Sequence, residues 1–176
     1  QGTRLGLDKP KGTLNIGVNK DLYLFEQLVR NLQDVTGEAG AYVPFYIMTS
    51  NINNDDTVAF FEEHDYFGYP KDYIKFFVQE MEPACDHEGR VYMESGTEVA
   101  MSPNGNGGWF TSLVKAGLGE DMKEKGVEWL NVFAVDNVLQ KIADPLFVGA
   151  TIKENYTCGA KVIRKANPDE KVGVIC

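Results

Sequence analysis

An α/β fold is predicted by three features of the sequence. Amphipathic segments with helical spacing alternate with short, continuous apolar runs. The apolar runs close in polar loops rich in Gly, Asn and Asp, and neither a linker nor an internal repeat divides the chain. Strand, helix, strand, helix in this order predicts a mainly parallel sheet with helices on both faces. In such a sheet a ligand lies beyond the carboxyl ends of the strands.

The elements follow in order. "KDLYLFEQLVRNLQDVTGEAG" puts Leu22, Phe25, Leu28, Val29 and Leu32 at helical spacing, and Gly37 suits the end of that helix. "AYVPFYIMTS" reads as a buried parallel strand. "NDDTVAFFEEHDYFG" reads as a helix, with Asp55 or Asp56 as cap and Gly68 at its end. "YIKFFVQ" is the next strand, and "EVAMSPNGNGGW" a glycine-rich loop before a helix from about Phe110 to Lys125. "VEWLNVFAVDN" reads as a strongly apolar strand ending on Asp136 and Asn137. "NVLQKIADPLFVGATIKE" reads as a helix broken near Pro145, and "CGAKVIRKA" and "KVGVIC" as two final strands around an Asn167–Glu170 turn.

Composition narrows the function classes. The chain has 176 residues, 43% hydrophobic and 24% charged, as in a globular protein with a sizeable core. Its net charge of −9 argues against a nucleic-acid partner, yet leaves room for a small phosphorylated ligand that needs two or three cations. Cys85, Cys158 and Cys176 form no CxxC pair, and His64 and His87 are too far apart for a helical ligand pair, so a zinc site is not expected. Reduced thiols in a cytoplasmic protein are the expectation. No apolar run approaches the roughly 18 residues of a membrane span. The aromatic cluster from Phe60 to Phe77 predicts core packing rather than base stacking, because basic residues are sparse among the rings. Glu62, Glu63 and Asp65 beside His64 read as a solvated helix face rather than a metal site.

Three stretches carry chemistry. In "QGTRLGLDKPKG", Gly2, Gly6 and Gly12 let the backbone approach an anion, Arg4 offers a two-pronged contact, and Lys11 offers a compact charge. The spacing matches neither the P-loop nor the dinucleotide fingerprint. A solvated turn with incidental charges fits the same letters. In "SPNGNGG", Gly105, Gly107 and Gly108 around Asn106 suit a backbone held against a base or sugar, and equally a tight turn into the next helix. In "FAVDN", Asp136 stands where a metal or ribose hydroxyl is bound, or where it simply caps the next helix.

The segments "GTRLGLDKPKG", "PFYIMTS", "FFEEHDYFGYPKDYIKFFVQ", "MSPNGNGGWF", "VFAVDNVLQKIADPLFVG" and "CGAKVIRKANPDEKVGVIC" together resemble the eukaryotic-type UDP-sugar pyrophosphorylases, in order and over essentially the whole chain. The resemblance implies a Rossmann-like, GT-A-like nucleotidyltransferase fold and a magnesium-assisted joining of UTP and a sugar 1-phosphate into UDP-sugar, UDP-N-acetylglucosamine being the favoured product. The opening matches the family's LxxGGxGTRLGxxxPKG signature. This implies Arg4 and Lys11 on the UTP phosphates as catalytic cations, with the N–H groups of Gly2 and Thr3 beside them. By the same resemblance Gln79 reads uracil, Gly105 contacts the base through its backbone, Asn106 and Gly107 meet the sugar, and Asp136 lies near the ribose, the phosphates and Mg2+. Arg164 and the lysines around Asn167–Glu170 are further candidates to face the phosphates.

Against that pattern, a first strand before Gln1 and a later sugar-recognising segment with another lysine are missing. The expectation is therefore an incomplete part of one catalytic domain, inactive and marginally stable alone. A non-catalytic sugar-nucleotide-binding or regulatory homologue is the alternative, and retention of Arg4, Lys11, Gln79, Asn106 and Asp136 together favours the enzyme.

Overall fold

Phe45–Thr49 (β1) and Ile74–Val78 (β2) pair in parallel, from Phe45 opposite Ile74 to Thr49 opposite Val78. In this computed structural model residues 9–170 are described. Asn54–Glu63 (α2) connects the two strands, giving the βαβ unit that the alternation predicts. Because side chains alternate across a strand, Phe76 and Phe77 face opposite ways. Phe76 meets Phe61 of α2 edge to face at 5.2 Å between ring centroids. Phe77 joins Leu113 and Met122, from Trp109–Lys115 (α3) and Leu118–Glu124 (α4), with Tyr46, Met48, Trp109 and Val127 packed around them. The parallel pair thus carries helices on both faces.

Leu24–Ala39 (α1) buries Leu24, Phe25, Leu28, Val29, Leu32 and Val35. It runs past Gly37 and ends at Gly40, whose φ of 67° supplies the left-handed turn; Gly37 has no such role. Glu26 accepts from the Tyr23 N–H at the helix start and pairs with Arg30 at 2.6 Å. The aromatic residues pack as core: Phe61 is fully buried and touches the rings of Phe25, Tyr66, Phe67 and Phe76. His64 lies among Tyr23, Phe60 and Phe67, with Nδ1 2.8 Å from the Phe60 carbonyl. Among the described residues no cluster of three metal-ligating side chains occurs, and Glu62 and Glu63 are exposed.

Several expectations are corrected. Asn53, not Asp55 or Asp56, is the N-cap of α2; the aspartates occupy its first turn, where carboxylates favour the positive end of the helix. The helix expected from Phe110 to Lys125 is two short helices, because Gly117 at φ 79° breaks the path. "VEWLNVFAVDN" forms no strand: its apolar letters suit one, but a strand requires a paired neighbour, and among the described residues no ladder forms along it. Parallel pairing is confined to β1 and β2 among the described residues. Met81–Pro83 (β3) and Met101–Pro103 (β4) pair antiparallel, so the first part of the expected loop "EVAMSPNGNGGW" is a strand.

The chain divides into two units, the second beginning at Ala143. Within that second unit Pro145–Lys153 (α5) begins at Pro145 rather than breaking there, since proline suits the first helical turn and Asp144 caps it through the Leu146 N–H. "CGAKVIRKA" forms no strand, and among the described residues no ladder runs along it, correcting the strand expected there. Asn167–Glu170 is a turn, with Glu170 N–H donating to the Asn167 carbonyl at 3.3 Å. The expected strand "KVGVIC" and the residues Gly2, Thr3 and Arg4 lie outside the described residues. No helix among the described residues is long and apolar enough to cross a membrane.

Candidate nucleotide site

Lys11 opens a single 3-10 turn, Lys11–Thr13, after the buried Pro10. The turn is held by the Thr13 N–H and hydroxyl, both donating to the Pro10 carbonyl at 3.0 and 2.8 Å. Gly12 is buried against Phe25 of α1, so close that a Cβ would enter the ring's van der Waals envelope. Only glycine lets this turn lie flat on the helix. Lys11 is thereby projected from a fixed backbone.

Its ammonium donates to Asp136 Oδ2 at 2.7 Å. Two side chains 125 residues apart, both singled out from sequence, are thus brought together. The lysine side chain is 24% exposed and the aspartate 57%. The Lys11 ammonium holds the Asp136 carboxyl below the usual carboxylate range, so it is anionic at neutral pH. The arrangement offers a cation and an anion at one accessible point, suited to phosphate and to a phosphate-bound cation respectively.

Gln79 stands one residue beyond β2. Its N–H donates to the Thr49 carbonyl at 2.9 Å, continuing the parallel ladder, so it lies at the carboxyl edge of the strands. Its Nε2 donates to the Gly105 carbonyl at 2.8 Å. Gly105 adopts φ 81° and ψ 170°, a region that glycine alone occupies readily. The Gly108 N–H also donates to the Gly105 carbonyl, at 3.2 Å. Asn106 and Gly107 follow in the exposed turn Asn106–Gly108 that leads into α3.

Two residues missed in the sequence brace this loop. Ser112 is 2% exposed; its hydroxyl donates to the Gly108 carbonyl at 2.9 Å and accepts from the Glu80 N–H at 3.1 Å. Asn104 donates its N–H to the Glu80 carbonyl at 3.1 Å. Ser112 gave one readable signal, a small polar residue at an apolar helix position; Asn104 gave none beyond its place beside Gly105. Arg164 is exposed in the second unit, and Lys165 donates to the Pro168 carbonyl at 2.9 Å.

An α/β chain with a cation–carboxylate pair and an amide-lined glycine loop at a strand edge is the class that fold and site define. A profile of the UTP–glucose-1-phosphate uridylyltransferase family matches residues 1–176, and the chain belongs to that family. It is 42% identical to UDP-N-acetylhexosamine pyrophosphorylase-like protein 1 of Mus musculus, covering 100% of this chain and 36% of that protein. It is 41% identical to UDP-N-acetylglucosamine pyrophosphorylase of Saccharomyces cerevisiae, over 99% of this chain and 38% of the relative. Among solved structures, the uridine diphosphate N-acetylglucosamine pyrophosphorylase of Trypanosoma brucei, in complex with an inhibitor, superposes with a TM-score of 0.85 at 34% identity. That match covers 98% of this chain and 37% of the other. The chain therefore spans a little over a third of the length of these relatives.

Proposed function

We propose that this chain is part of a nucleotidyltransferase domain, Rossmann-like and GT-A-like, that joins UTP and a sugar 1-phosphate into UDP-sugar and pyrophosphate. UDP-N-acetylglucosamine is the product that the yeast and trypanosome relatives' names favour. The observation that carries the reading is the convergence of Lys11 on Asp136 at 2.7 Å, together with the tie between Gln79 and Gly105.

In this mechanism a sugar phosphate oxygen attacks the α-phosphorus of UTP in line, forming the new P–O bond as the bond to pyrophosphate breaks. No protein nucleophile is required; positioning and charge neutralisation lower the barrier. Arg4 and Lys11 hold the phosphates, with the N–H groups of Gly2 and Thr3 beside them. Gln79 and Gly105 hold the uracil, and Asn106 and Gly107 hold the sugar. Asp136 fits a magnesium site of the usual kind, one carboxylate completed by substrate phosphates. When bound, the ion neutralises phosphate charge. Asp136 would be the residue that holds the ion, and it keeps Lys11 in place through their hydrogen bond. We place the activity in the cytoplasm, a compartment in keeping with the free thiols Cys85 and Cys158.

The test is pyrophosphate release by the full-length protein from each of UTP, CTP, ATP and GTP, with N-acetylglucosamine, N-acetylgalactosamine and glucose 1-phosphates as acceptors. Release that requires UTP and one of these sugar phosphates supports the reading. UDP-sugar binding without any release would establish instead the non-catalytic homologue.

A further inference from the structure

We propose that Asn104 is a positioning residue for base recognition, fixing which end of the Gln79 amide faces the nucleotide; this rests on the reading that Gln79 and Gly105 hold the uracil. A glutamine amide has a donor end and an acceptor end, and half a turn exchanges them. Here the donor end, Nε2, is engaged by the Gly105 carbonyl at 2.8 Å. A carbonyl only accepts, so the opposite orientation would set two oxygens against each other. The Oε1 end is therefore the one left for a ligand, and it suits a ring N–H such as that of a uracil imide.

The polarity holds only while the Gly105 carbonyl stays where it is, and Asn104 governs that. Its side-chain amide fills the space between the end of β2 and the glycine loop. With its oxygen toward Gln79 it accepts from Nε2 at 3.3 Å. With the amide turned, its nitrogen donates to the carbonyls of both Glu80 and Gly105, each at 3.3 Å. The second orientation is the stronger, because an amide oxygen facing two carbonyls is repelled by both. In either one, Asn104 bonds directly to a member of the Gln79–Gly105 pair. Gly108 seals the arrangement: a Cβ there would collide with the Asn104 amide, so the loop backbone lies directly on this side chain. Asn104 thus acts on the base through Gln79 and Gly105.

The experiment compares Asn104→Ala, Asn104→Leu, Gln79→Ala and the double variant Gln79→Ala/Asn104→Ala in the full-length protein, by steady-state kinetics with UTP and CTP. The leucine keeps the volume without the amide, so it separates packing from hydrogen bonding. Either Asn104 variant is expected to raise KM for UTP about fivefold, the size of one net hydrogen bond, and to narrow the preference for UTP over CTP. Turnover and KM for the sugar phosphate should stay within about twofold, a split that general loosening of the fold would not produce. In the Gln79→Ala background, the Asn104→Ala change should add nothing. An additive rise, or a fall in turnover with both KM values raised, overturns the proposal. An unchanged UTP KM in Gln79→Ala would instead overturn the underlying site reading. A rise in Gln79→Ala with none in the Asn104 variants overturns the inference alone.

Discussion

Replacing Lys11 with alanine separates the stability of this site from its chemistry. The Lys11–Asp136 pair is short, 2.7 Å, but its side chains are 24% and 57% exposed. Solvent screens such a pair, and its net contribution to folding is about 0–1 kcal/mol. In a protein of this size or larger that is at most about 4 °C in Tm. The same ammonium set against developing charge on a transferring phosphoryl group, in a site closed by substrate, is worth far more. Removing one preorganised donor costs about 10²–10³ in turnover, or about 2.7–4 kcal/mol. Lys11→Ala in the full-length protein should therefore lose two to three orders of magnitude in pyrophosphate release while melting within about 4 °C of wild type. Coupled pyrophosphate assays beside thermal melts make the comparison. Turnover within about threefold of wild type would refute the role, and so would a loss wholly accounted for by unfolding. Titration with metal-free pyrophosphate in EDTA gives a second arm. Asp136→Asn leaves the ammonium without its carboxylate, so this ligand should bind at least as tightly as to wild type. Weaker binding would refute the idea that Asp136 competes for Lys11.

Two further expectations concern the scaffold. Gly12→Ala must displace the Phe25 ring, at a cost of about 1–3 kcal/mol by thermal melt, and Phe25→Leu in the same chain should recover part of it; an unchanged Tm would show that the turn is not packed as described. Tyr46 donates to Asp121 Oδ2 at 2.7 Å, and Lys125 pairs with the same carboxylate. Burial pushes the Asp121 carboxyl up, but the hydrogen bonds from Lys125 and Tyr46 outweigh it and hold it below its ordinary value of 3.8. Its contribution is therefore fully present above that ordinary value and is lost as pH falls through the lower, folded one. Tyr46→Phe should lose about 1.5 kcal/mol at pH 7, and the gap from wild type should narrow in melts taken toward pH 2; a gap constant with pH would rule out the charged partner.

The parts legible in the sequence are those that local pattern determines. The apolar stripe of α1 declares its helix through spacing within one segment, and the short runs of β1 and β2 find each other as neighbours across the single helix α2. Residues 127–137 and 158–166 carry the same apolar letters yet form no strand, since pairing depends on a neighbour that local pattern does not specify. The β3–β4 ribbon escaped notice because Glu82, Ser102 and Pro103 weaken its alternation. Individual site residues were visible as types: glycines where the backbone must turn, a lysine after proline, an aspartate after an apolar run. Their contacts were not. Gln79 meets Gly105 across 26 residues, and Asn104 lies between them with no motif of its own.

The contact between Lys11 and Asp136 ties together points 125 residues apart, and this has a bearing on how the protein is made and varied. At roughly 5–20 residues per second of synthesis, Lys11 waits roughly 6–25 s on the ribosome before Asp136 is made. The pair is therefore unable to form on a nascent chain until Asp136 has emerged. The same separation makes the intervening polypeptide tolerant of change. Closure entropy grows with the logarithm of length, so even doubling the span would weaken the tie by only about 0.6 kcal/mol. Descendants of this gene are free to lengthen the tip of the antiparallel ribbon while keeping the contact between Lys11 and Asp136.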